Sequence, residues 1–207
     1  ETGSNLPEIS SIHMPADNCH DNSRHLKSIS PLFNVLKITD EDKARNRMYL
    51  EQRKRTELKT QVGNLDEFLK QLNISVDIKN ADDFTIPRIS QLTLKTNQFN
   101  LTTRRYQEED IRKFSNDTKK IVGCAQIEDK FGDNGITGAY IINKDNEQQW
   151  TIDTFLLSCR VIGRGVEVGI LSHIIEKARR DGINQVRGEY IKSEKNQPAE
   201  NFFADFG

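Results

Sequence analysis

The stretch Ser158-Cys159-Arg160-Val161-Ile162-Gly163-Arg164-Gly165 decides how this chain is read. Before it, the apolar run 150–157 reads as a strand. After it, Val166, Ile170, Ile174 and Ala178 recur every fourth residue with Leu171 and Ile175 beside them, which predicts a helix over 166–180 with one apolar face. Gly182 supplies its stop. A strand thus runs into a glycine-spaced turn and a helix N-terminus, where free N–H groups and the positive end of the helix dipole point outward. The glycines let a ligand approach the backbone without Cβ interference, and such a place suits a phosphate. No Gly-Lys-Ser/Thr follows, so this is not a Walker loop, and the dinucleotide fingerprint would need a third glycine. A tight turn with no ligand accounts for these residues equally well, so the choice falls to the rest of the chain.

Working outward, 185–191 reads as a further strand and 198–206 as a last helix. Upstream, 120–128 and 136–143 read as paired strands turning through Phe131-Gly132-Asp133-Asn134-Gly135, where Asn-Gly is a hairpin signal. Residues 84–95 and 108–115 read as helices, with Pro87 tolerated in the first turn of the former. Between them, 96–106 is a long polar loop with apolar plugs. Residues 74–78 alternate as a first strand, after a short helix over 65–72. Short turns make the middle strands antiparallel, whereas the helix between 150–157 and 185–191 makes those two parallel. A bulge would splay that pair into a cleft opening at the turn.

In this order of elements, Arg160-x-x-Gly163-x-Gly165 after a strand resembles the pyrophosphate loop of the GNAT acyltransferase fold. Asn196-Gln-Pro-Ala199-Glu-Asn-Phe202-Phe203 resembles the last motif of that fold. The resemblance implies an α/β (α+β) architecture, a mixed, mainly antiparallel sheet flanked by helices, over residues 61–207. It implies coenzyme A or acyl-CoA as cofactor.

Three longer segments narrow the likeness: Arg88 to Tyr106, Asp129 to Gly135 and Asp153 to Glu167. With Gly188-Glu-Tyr-Ile191 and Lys195-Asn196, they resemble the C-terminal half of FkbH-like proteins. Residues 1–60 do not read as a complete domain. They offer a strand over 9–14, a helix over 17–29 and a charged helix from Thr39 to Lys59. Leu6-Pro-Glu-Ile9 and Thr39-x-Glu-Asp42 resemble the tail of that family's HAD domain, so 1–60 is expected to be that tail and a linker helix. The family resemblance implies loading of a glyceryl unit onto an acyl carrier protein, as in methoxymalonyl-carrier synthesis for polyketides. That chemistry belongs to the HAD half, whose Asp-x-Asp-x-Thr motif this chain lacks. The expected partners are an acyl carrier protein and the HAD domain of the parent protein.

The resemblance distributes roles over the site. Backbone N–H groups of Gly163, Gly165 and Val166 would bind pyrophosphate, with Arg160 and Arg164 as cations. Leu157 and Ser158 would pair with the pantetheine arm of coenzyme A or of a carrier, and Asn196 would hold it from the other side. Asn97, Phe99, Arg104 and Arg105 lie in the loop that shapes the acceptor pocket; a paired-Arg surface explains the last two as well. Phe203 stands where the last motif usually has Tyr, the general acid toward the leaving thiolate, and a phenyl ring donates no proton. Glu189 and Tyr190 are possible substitutes, one facing the cleft and the other the core. Cys159 is a conceivable nucleophile, since a helix N-terminus lowers a thiol's pKa. Its apolar neighbours Leu156, Leu157 and Val161 instead predict a buried, inert thiol. Two functions follow: an acyltransferase module, or a carrier-docking domain that does no chemistry.

Composition bounds these readings. In 207 residues, 30 basic against 31 acidic side chains give net −1, so no chain-wide field calls for nucleic acid or a membrane surface. No apolar run approaches membrane-spanning length, and no segment reads as a secretory leader. Cys19, Cys124 and Cys159 are a sparse, odd set that suits a cytoplasmic location better than a disulfide framework. His13, Cys19, His20 and His25 match no zinc spacing, so no metal is expected.

Overall fold

The computed structural model describes residues 40–206 together with Lys27. The chain divides into two compact units, 1–47 and 48–207. Of the first, Lys27 is helical, as is the segment from Asp40 onward. The strand expected over 9–14, most of the helix over 17–29 and the early His and Cys residues lie outside the described residues.

The division falls inside helix α1, Asp40–Val62. Residues 48–60, placed with the N-terminal part from sequence, therefore belong with the sheet domain. Helix α1 has almost no apolar stripe, so packing of a hydrophobic face does not explain its place. One ion pair does: the guanidinium of Arg55 donates from Nε to Asp129 Oδ2 at 2.7 Å and from Nη2 to Oδ1 at 2.9 Å, both side chains being buried. Helix α2, Leu65–Leu72, follows; Asn64 caps it by accepting the Asp66 N–H, and Phe68 and Leu72 enter the core.

The sheet carries β1 (Ser75–Asn80), β3 (Lys120–Asp129), β4 (Gly132–Lys144) and β5 (Gln149–Leu157), all antiparallel neighbours in that order. Strand β6, Gln185–Gly188, runs parallel to the first half of β5. Helices α3 (Ile86–Lys95) and α4 (Glu108–Asn116) cover one face through Ile86, Ile89, Leu92 and Ile111. Helix α5, Val166–Arg180, covers the other through Val166, Ile170, Ile174 and Ala178, the residues its periodicity singled out. A short 3-10 turn, Gln197–Ala199, and helix α6, Phe202–Phe206, close the chain. This is the mixed, mainly antiparallel α/β architecture expected from the element order.

Three local expectations are corrected. The hairpin turns at Lys130-Phe131, because Asp129 Oδ1 accepts the Phe131 N–H there. Asn134-Gly135 instead lies within β4, where the register to β3 is irregular and Gly135 takes φ +69°. Strand β6 stops at Gly188, shorter than read, where the ring of Phe203 lies so close that a Cβ on Gly188 would meet it at 2.6 Å. And the polar loop between α3 and α4 contains a strand: β2, Phe99–Asn100, pairs antiparallel with Leu156 and Leu157 of β5.

The parallel pair does splay. Ile142 faces Ile152 and Ile141 faces Thr154, so Asp153 is the extra residue of a bulge in β5. The β5–β6 pairing ends at Ile152, one residue earlier.

Candidate functional site

Beyond the bulge, β5 leads to the turn that opens the sequence reading. The Ser158 N–H bonds to Thr137 O at 2.7 Å and the Val161 N–H to Ser158 O at 3.1 Å, which folds the chain back onto α5. Gly163 takes φ +72° and Gly165, the N-cap of α5, φ +75°, a region that side chains with a Cβ enter only with strain. No atom lies within 4 Å of where either Cβ would stand, so open space faces both. The glycines serve backbone conformation and approach rather than packing. The first-turn N–H groups of α5 have no intrahelical acceptors, and the dipole adds positive character there.

A cleft of about 700 Å³ lies at this end of β5, lined by Arg88, Gln91 and Lys95 of α3, Asn97, Ser158, Cys159 and Lys195 among others. Glu194 is the acidic residue in its wall. Arg160 reaches the same corner: its Nε donates to Ser158 Oγ at 3.5 Å and its Nη1 lies 3.8 Å from the Met48 sulfur. Cys159 is exposed at the cleft wall, against the expectation of a buried thiol. The reason is the chain's direction: Leu157 and Val161 are fully buried, but β5 ends at Leu157 and Cys159 stands in the turn beyond it.

Arg164 is not available to a ligand as expected. Its Nη1 donates to Asp129 Oδ2 at 3.1 Å and Nη2 to Gln52 Oε1 at 3.4 Å, and the side chain is buried. Burial, and then repulsion from Arg55, push its pKa down. Asp129 accepts from Arg55 and Arg164 together. Burial works against its charge, but the Arg55 hydrogen bond, the Phe131 N–H and the neighbouring guanidinium charges outweigh that and hold it below the usual carboxylate range. Arg164 thus fastens the turn to β3 and α1.

The splay is filled by the chain itself. Phe99, Asn100 and Leu101 are all buried. Besides the β2–β5 pairing, the Leu101 N–H donates to Phe155 O at 3.1 Å and the Ile191 N–H to Leu101 O at 2.8 Å. The edge of Leu157 that was expected to meet a pantetheine arm carries Phe99. Phe99 is no acceptor-pocket residue either: its ring packs against Phe155 and Phe202, at centroid distances of 6.2 and 5.3 Å. Asn196, fully buried, ties this segment down. It donates to Asn100 O at 3.0 Å and Ile191 O at 2.9 Å, and its Oδ1 accepts the Ser193 N–H and the Tyr190 hydroxyl. Its amide is saturated by protein groups, so it is a structural knot and not the holder of an arm.

At the bulge stands a polar cluster. Asp153 receives the Tyr106 hydroxyl at 2.8 Å, the Thr154 hydroxyl at 2.9 Å and Arg104 Nη1 at 2.6 Å. The same Arg104 nitrogen lies 2.9 Å from Glu189 Oε2. Burial opposes the Arg104 charge, but Asp153 and Glu189 outweigh it and raise its pKa. Burial and the bond to Asp153 raise that of Tyr106. Glu189 and Tyr190, beyond the end of β6, point apart: Glu189 to this half-exposed cluster, Tyr190 against the core. Arg105 makes no free basic pair with Arg104. It donates to Thr93 O, to Thr96 O at 2.8 Å and to Asn97 Oδ1 at 2.5 Å, clamping the end of α3. Phe203 joins the aromatic core beside Phe155 and Phe202.

The structure therefore brings Ser158, Cys159, Arg160, Gly163, Gly165, Val166 and Asn97 to one end of β5, and separates from them the Glu189 and Arg104 cluster at the bulge. Arg88, Gln91, Lys95 and Lys195 were missed in the cleft wall, and Asp153 at the bulge. Arg88, Gln91 and Lys95 lie in the Arg88 to Tyr106 segment, and Asp153 and Lys195 in other segments of the same likeness, but none stands in a motif of its own.

No family model matches the sequence, and no curated protein does. Among the described residues no helix is long and apolar enough to cross a membrane. Solved structures do match. A transcriptional regulator from Bacillus halodurans C-125 is 13% identical with TM-score 0.50, over 64% of this chain and 92% of its own. The ribosomal-protein-S18-alanine N-acetyltransferase from Escherichia coli is 12% identical with TM-score 0.50, over 64% of this chain and 77% of its own. At such identities the likeness concerns the fold, and the matched 64% of the chain carries a GNAT-like fold.

Proposed function

We propose that this domain is an acyltransferase-like module that takes the phosphate-bearing pantetheine arm of coenzyme A, or of an acyl carrier protein, at the cleft beside the Ser158–Gly165 turn. The observation that carries the reading is the pair of left-handed glycines, Gly163 and Gly165, with open space beyond them at the N-terminus of α5, and a cleft walled by Ser158 and Cys159 of the same turn and by Arg88, Lys95 and Lys195. The residues fit the phosphate end of such a ligand. The arm's continuation into the splay does not fit while Phe99–Leu101 occupies it. The resemblance to FkbH-like proteins further supports a cytoplasmic role in glyceryl or methoxymalonyl-carrier biosynthesis, beside a HAD domain of the parent protein that performs the loading.

A second reading, docking of the carrier without chemistry, is favoured by two observations: the filled splay, and Phe203 packed as a core ring where a proton donor would be needed. Isothermal titration with coenzyme A and with a phosphopantetheinylated carrier protein tests both. Binding with acyl transfer to an acceptor supports the first reading, and binding without turnover supports docking. Binding of neither ligand overturns both.

A further inference from the structure

Strand β1 ends the sheet on the side away from β2, and among the described residues no strand pairs with its outer edge. The Ala81 N–H donates to Val122 O at 2.8 Å and continues the β1–β3 register, so Ser75, Asp77 and Lys79 turn their backbone groups to β3. Val76, Ile78 and Asn80 therefore present theirs outward, a row that native sheets usually cover or blunt. Beside this edge lies a pocket of about 300 Å³, lined by Ile78, Lys79 and Asn80 of β1 and by His173, Lys177 and Arg180 of α5, with no carboxylate in its wall. Arg180 meets Glu176 at 3.3 Å on the exposed side of the helix, whereas Lys79 and Lys177 form no ion pair among the described residues. A phenol reaches the same place. Tyr140 is buried, and its ring lies over Gly123, where a Cβ would collide with it. Gly123 is the cross-strand partner of Asn80, and the His173 ring lies 6.4 Å from that of Tyr140. The Tyr140 hydroxyl makes no hydrogen bond among the described residues. Cations near a helix C-terminus answer its dipole. That accounts for Arg180, but for neither the open edge nor the phenol, since a buried tyrosine hydroxyl usually has a partner.

We propose that the outer edge of β1 takes up an extended acidic segment of a partner protein as a further strand, with a carboxylate of that segment in the basic pocket. Backbone pairing along the edge supplies affinity, and the pocket selects the side chain. Alternation puts every second side chain of an added strand on the α5 face, where Lys177 and Arg180 stand. A carboxylate there gains charge-assisted hydrogen bonds and offers the Tyr140 hydroxyl an acceptor. A second copy of β1 suits the edge less well. Two-fold pairing of two such edges keeps both α5 helices on one face of the joined sheet, so it brings Lys177 and Arg180 toward their own copies. The site is independent of what the Ser158–Gly165 turn binds.

The test uses three labelled synthetic peptides: one of alternating Glu and Val, its Lys and Val counterpart, and the Glu and Val peptide N-methylated throughout, which removes its backbone donors. Each is titrated by fluorescence anisotropy against the wild type, Tyr140→Phe, and the double variant Lys177→Glu with Arg180→Glu, with thermal unfolding to show that the variants are folded. The Glu and Val peptide should bind, more weakly as salt rises, and the Lys and Val peptide should not. Its affinity should fall at least about tenfold in the charge-reversed variant and on N-methylation, and severalfold in Tyr140→Phe. Amide exchange at Val76, Ile78 and Asn80 should slow in the complex. Equal affinity of the N-methylated peptide would reduce the surface to a charged patch without strand addition. Equal affinity in the folded charge-reversed variant would remove the pocket from recognition. Absence of binding to the wild type would remove both, and wild-type dimerisation that protects the same three amides would give the edge to a second copy. Each of these four results overturns the proposal.

Discussion

Replacing Asn196 by alanine should unfasten the segment that fills the splay. The amide makes bonds to Asn100 O, Ile191 O, the Ser193 N–H and the Tyr190 hydroxyl, at 3.0, 2.9, 2.8 and 3.1 Å, and the residue is completely buried. A hydrogen bond of this kind contributes about 1 kcal/mol net, and an orphaned buried group costs more. Ser193 and Tyr190 are only half-buried, so water replaces the amide at those two. Asn100 is not exposed at all, and its carbonyl has no such recourse. The expected loss is therefore about 3 kcal/mol, read as a lower urea midpoint at unchanged slope. Because the bonds hold a local segment, the Leu101 and Ile191 amides, which bond to Phe155 O and Leu101 O, should lose hydrogen-exchange protection before the rest of β5 does. A loss below about 1 kcal/mol, with the protection of Leu101 and Ile191 unaltered, would refute the view that Asn196 is the knot.

Asp129→Asn should cost about 3–5 kcal/mol, because it leaves Arg164 buried without a counter-charge and Arg55 with only the more distant Glu51, at 3.8 Å; thermal or urea unfolding measures it. Since the Asp129 pKa is lowered on folding, its stabilisation is complete above the ordinary carboxylate value of about 3.9 and is lost as pH falls from there through the depressed folded value. The wild type should therefore lose stability in that window more steeply than Asp129→Asn, as parallel acid titrations of unfolding will show. Gly165→Val should destabilise the fold by only about 1–2 kcal/mol, through its positive φ and not through a clash, yet reduce coenzyme A binding far more. Equal affinity in folded Gly165→Val would make the turn structural alone.

The order of strands and helices was legible because each element announced itself locally: alternation in β1, periodicity in α5, a glycine stop at Gly182. The turn was legible because only glycine suits φ near +70° at Gly163 and Gly165. What was not legible depended on partners far away in the chain. Phe99-Asn100-Leu101 looks like polar loop because the group that satisfies Asn100 is Asn196, 96 residues on. Arg164 reads as a free cation until Asp129, 35 residues earlier, is seen to receive it. Cys159 was misjudged by its neighbours, since apolar flanks predict burial only while the strand continues. Asn134-Gly135 announced a turn, but the Asp129 side chain had already closed the hairpin at Phe131.

The central claim is that a pantetheine-bearing ligand lies in the cleft beside the turn, and Cys159 reports on it directly. Its thiol is exposed in the cleft wall, whereas Cys124 is buried and serves as an internal control. Alkylation of the folded protein with iodoacetamide, followed residue by residue by mass spectrometry, should label Cys159 and spare Cys124. Saturating coenzyme A should then slow the labelling of Cys159 severalfold by occlusion. Labelling of Cys159 at the same rate with and without coenzyme A, at concentrations where titration shows binding, would place the ligand elsewhere and contradict the account.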